Sequence, residues 1–454
     1  MPNARAVKLQ AQLPFTARAM PTPVPAHFAR IERIERRFVL ARVRVPALLP
    51  VLASVLALVL AAPAARADSV ARRSDRQPQR ALTGVVFDDT NDNGRRDAGE
   101  RGLAGVVVSD QDSVVVTATD GSYRLTSAFR TGIAFVSAPS GYRARDRFWA
   151  AIDSTTTTAD FALRRTAPSR RLTLLHASDT HVAPPSVPRM ERLRALIDSI
   201  RPDLVLITGD LVRDALRVGE TEARGYYELF QQQVAKVRPP LFTIPGNHEN
   251  FGIERDRSKV AADHPLYGRA MYRHYRGPDY YSFNAGGIHF VALNSVDIDD
   301  TRYYGHVDSL QLAWLQRDLA AVPAATPVVT FNHIPFFTAV ETINGLQEAP
   351  PAPSVIVVNG KGSFRHAVSN ARDVIARIAP HPYPLALAGH MHTRESLRYA
   401  GVATRFDQAA AIVAPSGGPA LSFPSGITLY TITNATISEG RFLPLGIDPP
   451  TPRR

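Results

Sequence analysis

Apolar residues fall into two different rhythms along this chain. Over residues 81–166 they come in short β-branched or aromatic runs: ALTGVVF, AGVVVSD, SVVVTATD, GSYRLT, GIAFVSA and TTADFALR. Gly, Asp or Ser interrupts each run, which predicts short strands joined by turns, a small all-β sandwich. From residue 171 the rhythm changes. RLTLLHASD predicts a strand, and SVPRMERLRALIDSI after it sets Met190, Leu193, Leu196, Ile197 and Ile200 on one helical face. DLVLITGD, a helical EARGYYELFQQQVAKV and LFTIPGNH continue the alternation, as do GGIHFVALNS, DSLQLAWLQRDLAA, PVVTFNHIP, ARDVIARIA and PLALAGHMH. AAIVAPSGG and GITLYTITN then return to strand. Strands alternating with helices predict a layered α/β domain over 171–454. The Pro/Arg/Ser stretch RRTAPSRR separates the two regions.

Ahead of both lies an N-terminal extension, residues 1–67, with Arg42 and Arg44 before an apolar run, PALLPVLASVLALVLAA, and an Ala-Arg-Ala ending at Ala67. The run is short for crossing ~30 Å of hydrocarbon. Basic residues, apolar run and A-x-A site together predict a cleaved signal peptide, with export to the periplasm or medium and no stable membrane span afterwards. Residues 68–80 read as a polar, Arg-rich linker. The leader also changes the meaning of the charge, since it holds ten Lys/Arg and two Glu and leaves only +4 of the formal +12 to the rest. That residue of charge argues against nucleic acid as a partner. The absence of cysteine excludes a disulfide framework, a thiol nucleophile and Cys-bound metal.

Polar residues recur at the same place, the carboxyl ends of apolar strands: Asp179-Thr180-His181, Gly209-Asp210, Gly246-Asn247-His248-Glu249, Asn332-His333 and Gly389-His390-Met391-His392. Open α/β sheets bind ligands where those ends emerge. Imidazole and carboxylate suit Zn, Mn and Fe, and an Asn carbonyl adds a neutral oxygen. Singly, each motif is an ordinary turn, cap or structural histidine. Five in order at strand ends are not.

The ordered set D-x-H, GD, GNH[DE], H and GHxH resembles the calcineurin-like metallophosphoesterases, from Arg171 to the C-terminus. The resemblance implies a four-layer α/β/β/α sandwich behind the β-domain, and a site holding two divalent transition metal ions (Mn, Fe or Zn). By position, the first metal takes Asp179, His181, Asp210 and His392, and the second Asp210, Asn247, His333 and His390. His248 is implied to be catalytic rather than a ligand, and Glu249 a carboxylate that orients its neighbours. The implied reaction is hydrolysis of a small-molecule phosphate mono- or diester by a hydroxide bridging the metals. Purple acid phosphatases carry Tyr three positions after the GD aspartate, where this chain has Arg213, and lack the histidine found here as His181. The pattern is nearer to exported and cyclic-nucleotide-phosphodiesterase-like members. Two competing readings are a nuclease of the same fold, opposed by the low charge, and a cell-surface binding protein with a degenerate catalytic domain, opposed by the intact ligand set.

The β-region carries a second candidate. Asp89, Asn91, Asn93, Gly94, Asp97 and Glu100 match a twelve-residue calcium loop, D-x-[DN]-x-[DN]-G-x5-E, flanked here by strands rather than helices. Calcium and an ion-free polar turn are the two readings. The stretch also resembles the β-domain ahead of some exported metallophosphoesterases. His176 and His289 read as core histidines. Tyr280 and Tyr281 could stack on a nucleobase but read first as packed aromatics of a hairpin, and Arg365 and His366, in the long segment between His333 and His390, could reach a substrate but read first as part of a solvated loop.

Overall fold

The computed structural model describes residues 78–145, 147–167, 171–347, 353–417 and 422–448; the leader and its expected cleavage site lie outside them. Among the described residues, no helix is long and apolar enough to cross a membrane.

The catalytic half is built from two six-stranded sheets lying face to face. The first has the order Leu241–Thr243, Leu204–Ile207, Arg171–Ala177, Gly426–Thr433 and Thr436–Ile437, with Arg441–Pro444 also paired to Gly426–Thr433. Its first three strands are parallel. The second has the order Tyr281–Ala285, Ile288–Ala292, Val328–Phe331, Leu385–Ala388, Arg405–Gln408 and Glu395–Leu397, with its four central strands parallel. These strands are apolar on both faces because each face has a partner. Leu174, Leu204 and Leu206 enter the core shared with Phe290, Val329 and Leu387 of the other sheet. The intervening Leu175, Val205 and Ile207 point the opposite way, onto Met190, Leu193 and Ile197 of helix Val187–Ile200 and onto Tyr227 and Phe230 of helix Glu220–Val234. On the far side, helices Ser309–Ala320 and Ala371–Ile378 bury Leu312, Leu315, Leu319, Val374 and Ile378 against the second sheet. The order of layers is therefore α/β/β/α.

The β-region forms two four-stranded sheets. One contains Ser122–Ser127, Arg80–Asp88, Phe161–Arg165 and Tyr142–Ala144, and the other Val114–Val116, Val107–Ser109, Ile133–Ser137 and Trp149–Ala151. Leu82, Val86, Val108, Leu125, Val136 and Leu163 fill the space between. Contacts between the sandwich and the catalytic half are extensive. Phe135 leaves the sandwich core and joins the catalytic one, with its ring edge-on to Tyr281 and Trp314 at 6.4 and 6.3 Å. Gln111 donates to the Tyr280 carbonyl at 2.8 Å, and the Tyr280 hydroxyl donates back to the Gln111 carbonyl at 2.7 Å. The Trp314 indole donates to Ser109 at 3.1 Å. Such reciprocal, buried contacts hold the two halves in one compact unit and stiffen the floor on which the polar strand ends stand.

Candidate metal centre

Each polar motif follows the carboxyl end of a parallel strand, three on the first sheet and two on the second, so the two sheets bring them together at one rim. The ligating atoms of Asp179, His181, Asp210 and His392 lie within 4.8 Å of one another, as do those of Asp210, His333 and His390. Asn247 belongs with the second group, its Oδ1 being 3.2 Å from His333 Nε2. Asp210 is common to both. One of its oxygens is 3.2 Å from His333 Nε2 and the other 3.5 Å from His181 Nε2.

Close approach of chains forces glycine beside these residues. A Cβ on Gly246 would stand 2.1 Å from Asp210 Oδ1, and one on Gly389 would stand 1.9 Å from the Ser178 hydroxyl. The backbone is strained as well. Asp179, His181, Asp210, His390 and His392 all have positive φ, between 38° and 73°, a region that L-residues with a Cβ rarely enter. Strain of this kind costs about 1–3 kcal/mol per residue and persists where surroundings over-determine it. Here backbone donors do so: His390 N–H bonds Asp179 Oδ2 at 3.1 Å, and His248 N–H bonds Asp210 Oδ1 at 3.1 Å.

The donor chemistry shows what the cluster can hold. His333 Nδ1 donates to the Thr208 carbonyl at 2.7 Å, so in the neutral ring Nε2 carries a lone pair. That lone pair faces Asn247 Oδ1, Asp210 Oδ1 and His390 Nδ1, all within 3.2 Å. His181 and His392 likewise bring their Nε2 atoms 3.2 Å apart, and the buried Asp179 Oδ1 lies 3.2 Å from His392 Nε2. With these ring nitrogens unprotonated, acceptors crowd against acceptors and repel unless cations lie among them, and imidazole, carboxylate and amide oxygen are the donors that divalent transition metals take. Without metals the electrostatics are lopsided. Burial disfavours protonation of His333, yet the Asp210 carboxylate overrides it and lifts the ring to about 9, whereas burial draws His181 down to about 4.

The residues around the cluster fix it in place. His248 donates Nδ1–H to the Arg213 carbonyl at 2.6 Å, which leaves Nε2, 3.8 Å from Asp210 Oδ2, on the side of the cluster. Its ring is 4.6 Å from that of His181. Glu249 is fully buried and accepts from the Val212 N–H at 3.0 Å and the Gly246 N–H at 2.6 Å, tying the Asp210 loop to the Asn247 loop. Burial, then the neighbouring Asp210 charge, push its carboxyl up to about 8; cations on the far side of Asp210 would oppose that rise. His176 is a core residue, 2.9 Å from Thr208 Oγ1, and His289 is buried between Asn284 and Asp318. Tyr281 lies in the Tyr281–Ala285 strand of a hairpin, its hydroxyl bonded to the Thr243 carbonyl.

Arg365 and His366 require a correction. They are not in a solvated loop. Arg365 is buried, with its guanidinium 4.2 Å over the Tyr303 ring, and the His366 ring lies 5.0 Å from that of His390. The segment they end folds back as helix Val340–Asn344 and hairpin Val355–Val358/Lys361–Phe364, with Ile356 and Val358 packed on Tyr304. No motif marks them; of the two sequence readings, the structure favours the one that brings them towards the site.

The β-region loop closes upon itself. Asp89 accepts from the Asn93 and Gly94 N–H groups at 3.1 and 2.9 Å, Glu100 accepts from Thr90 and Asp97 N–H at 2.8 and 3.1 Å, and Asn91 and Asn93 both donate to Asp97.

Glu249 supplies a direct test of how the loops are held. Glu249→Gln turns one acceptor oxygen into an NH₂ that faces a backbone N–H, and should cost about 1–3 kcal/mol of stability. The expected result in thermal unfolding is a lowered Tm, with faster loss of bound metal to a chelator; unchanged values in both would show that Glu249 does not organise the loops.

Residues 172–394 match the family described as calcineurin-like phosphoesterase, and residues 90–166 match the N-terminal domain of calcineurin-like phosphoesterase. A 3',5'-cyclic adenosine monophosphate phosphodiesterase of Escherichia coli (strain K12) is 23% identical over 247 residues, 51% of this chain and 73% of that protein. A probable cyclic nucleotide phosphodiesterase of Rhodococcus erythropolis is 24% identical over 50% of this chain and 67% of its own length. Purple acid phosphatase 23 of Arabidopsis thaliana is 37% identical over 106 residues, 22% of this chain and 21% of that protein. With its two-sheet fold and Asp/His cluster at the strand ends, the chain belongs to the calcineurin-like phosphoesterase family and is a metal-binding hydrolase of phosphoric esters.

Proposed function

We propose that this chain is an exported di-metal phosphoesterase acting on a small-molecule phosphate mono- or diester. One observation carries the reading: seven side chains from five strand ends converge on two acceptor-rich half-sites that share Asp210. Asp179, His181, Asp210 and His392 would hold the first metal, and Asp210, Asn247, His333 and His390 the second. Two bound divalent ions supply an activated water and neutralise charge on the phosphoryl group.

The chain's own residues set the rest. Glu249 fixes the distance between the Asp210 and Asn247 loops. Thr208 fixes the tautomer of His333. His248, anchored on the Arg213 carbonyl, keeps Nε2 for the phosphoryl group or the departing oxygen, where it can give up a proton as the ester bond breaks. The names of the two phosphodiesterase relatives make a cyclic nucleotide the first diester to try. A polymeric nucleic acid is disfavoured, since its binding relies on clustered Lys/Arg and the chain beyond residue 67 carries only +4. The Asp89 to Glu100 loop is proposed to take calcium, Glu100 reaching back to accept from the N–H of Thr90, the residue after Asp89.

The exported form should begin at Asp68, and intact-mass analysis of secreted protein reads this; a product keeping the apolar run 46–62 would favour an anchor. The central assignment is tested by a pair of variants. Asp210→Ala should lose metal and activity together. His248→Ala should keep its metal and lose turnover by roughly 10²- to 10⁴-fold. If it protonates the leaving group, the defect should shrink on p-nitrophenyl esters and stay large on alkyl esters; metal loss in His248→Ala would make it a ligand and overturn the scheme. The same metal analysis should find calcium that EGTA removes without loss of the transition metals, and its absence would leave the loop as a plain turn.

A further inference from the structure

The metal cluster is flanked by two imidazoles that belong to neither half-site. His248 stands against His181, at 4.6 Å between ring centroids, on the first side. His366 stands against His390, at 5.0 Å, on the second. The mechanism above uses only the first.

His366 is held for a purpose that packing alone does not explain. Its Nδ1 is 2.5 Å from Glu341 Oε1, and the same carboxylate oxygen accepts from the Ser354 hydroxyl at 2.6 Å. The two side chains are only 20% and 13% exposed, so a carboxylate and an imidazole have been taken largely out of water together. Such a pair returns little net stability, because desolvation offsets the attraction. Its position is also over-determined from behind. Arg365, next in the chain, lies over the Tyr303 ring and donates to the Tyr303 carbonyl at 3.3 Å, while its own N–H bonds the Ser354 carbonyl at 2.9 Å. The Val368 N–H bonds the Pro335 carbonyl at 2.9 Å, two residues from His333. Residues 365–368 are thereby clamped to the rim. Glu341 accepts the proton on Nδ1, so Nε2 is the nitrogen left for a ligand.

We propose that His366 is a second non-ligand catalytic residue, touching a phosphoryl oxygen of the bound ester through Nε2 on the His390 side, and that Glu341 is the residue that positions it. The inference rests on the di-metal phosphoesterase reading above. It assigns the segment after His333 a role in gripping the phosphoryl group, opposite to His248.

The test uses the full-length, metal-loaded protein and inorganic phosphate as the probe of the phosphoryl site. His366→Asn should weaken calorimetric phosphate binding, and lower kcat/KM, each about 10- to 100-fold, the loss of one hydrogen bond to a charged group. Metal content and Tm should be unchanged. Glu341→Gln, which keeps shape and an acceptor oxygen, should lose less, and the double variant should be no worse than His366→Asn alone, because Glu341 acts through His366. Wild-type phosphate affinity in His366→Asn would overturn the proposal, as would additive losses in the double variant or loss of metal. Should His366→Asn fail to fold, Glu341→Gln carries the test, and unaltered phosphate affinity there rejects the positioning role. Failure of the underlying reading is distinguishable, because the unmodified protein would then bind no metal or hydrolyse no phosphoester.

Discussion

Asp210 is the side chain on which both halves of the centre depend. Its two carboxylate oxygens face different imidazoles, His333 and His181, and one of them also accepts the His248 backbone N–H. A carboxylate this deeply buried is costly unless charge surrounds it. His333, His248 and His181 together hold its pKa well below the usual range against the effect of burial. The same crowding brings Asn247 Oδ1 and His390 Nδ1 within 3.2 Å of His333 Nε2, an arrangement that cations among them would favour.

That constraint reaches outward into the backbone. Five of the clustered residues occupy left-handed conformations, and Gly246 and Gly389 are fixed by approaches that admit no side chain. The strain is borne by regular elements: strands apolar on both faces, a Glu249 that ties two loops, and a β-sandwich sharing Phe135 with the catalytic core. Stability is thus built in the layers and spent at the rim, which keeps the cluster rigid before any ligand arrives.

Much of this was legible in the chain itself, for definable reasons. Short continuous apolar runs and the helical spacing of apolar residues revealed the layers, because strands such as Leu204–Ile207 and helices such as Val187–Ile200 are decided by burial. The polar motifs stood out because each interrupts an apolar strand at the same end. His366 was visible only as a residue that a long insertion could carry towards a substrate, and its surroundings were not: its neighbour His390 is 24 positions away, its partner Glu341 is 25, and neither spacing follows a local period. The contact of Gln111 with Tyr280 spans 169 positions and was equally unreadable. Pattern reports how a segment is buried, and only tertiary structure reports against what.

The claim that two metals share Asp210 is tested most directly by counting them. Metal-free full-length protein, titrated with Mn²⁺ and assayed for bound metal by elemental analysis, should saturate at two ions per chain, with phosphoesterase activity rising only as the second is bound. Saturation at a single transition metal with full activity, or activity in protein freed of all metal, would contradict the account.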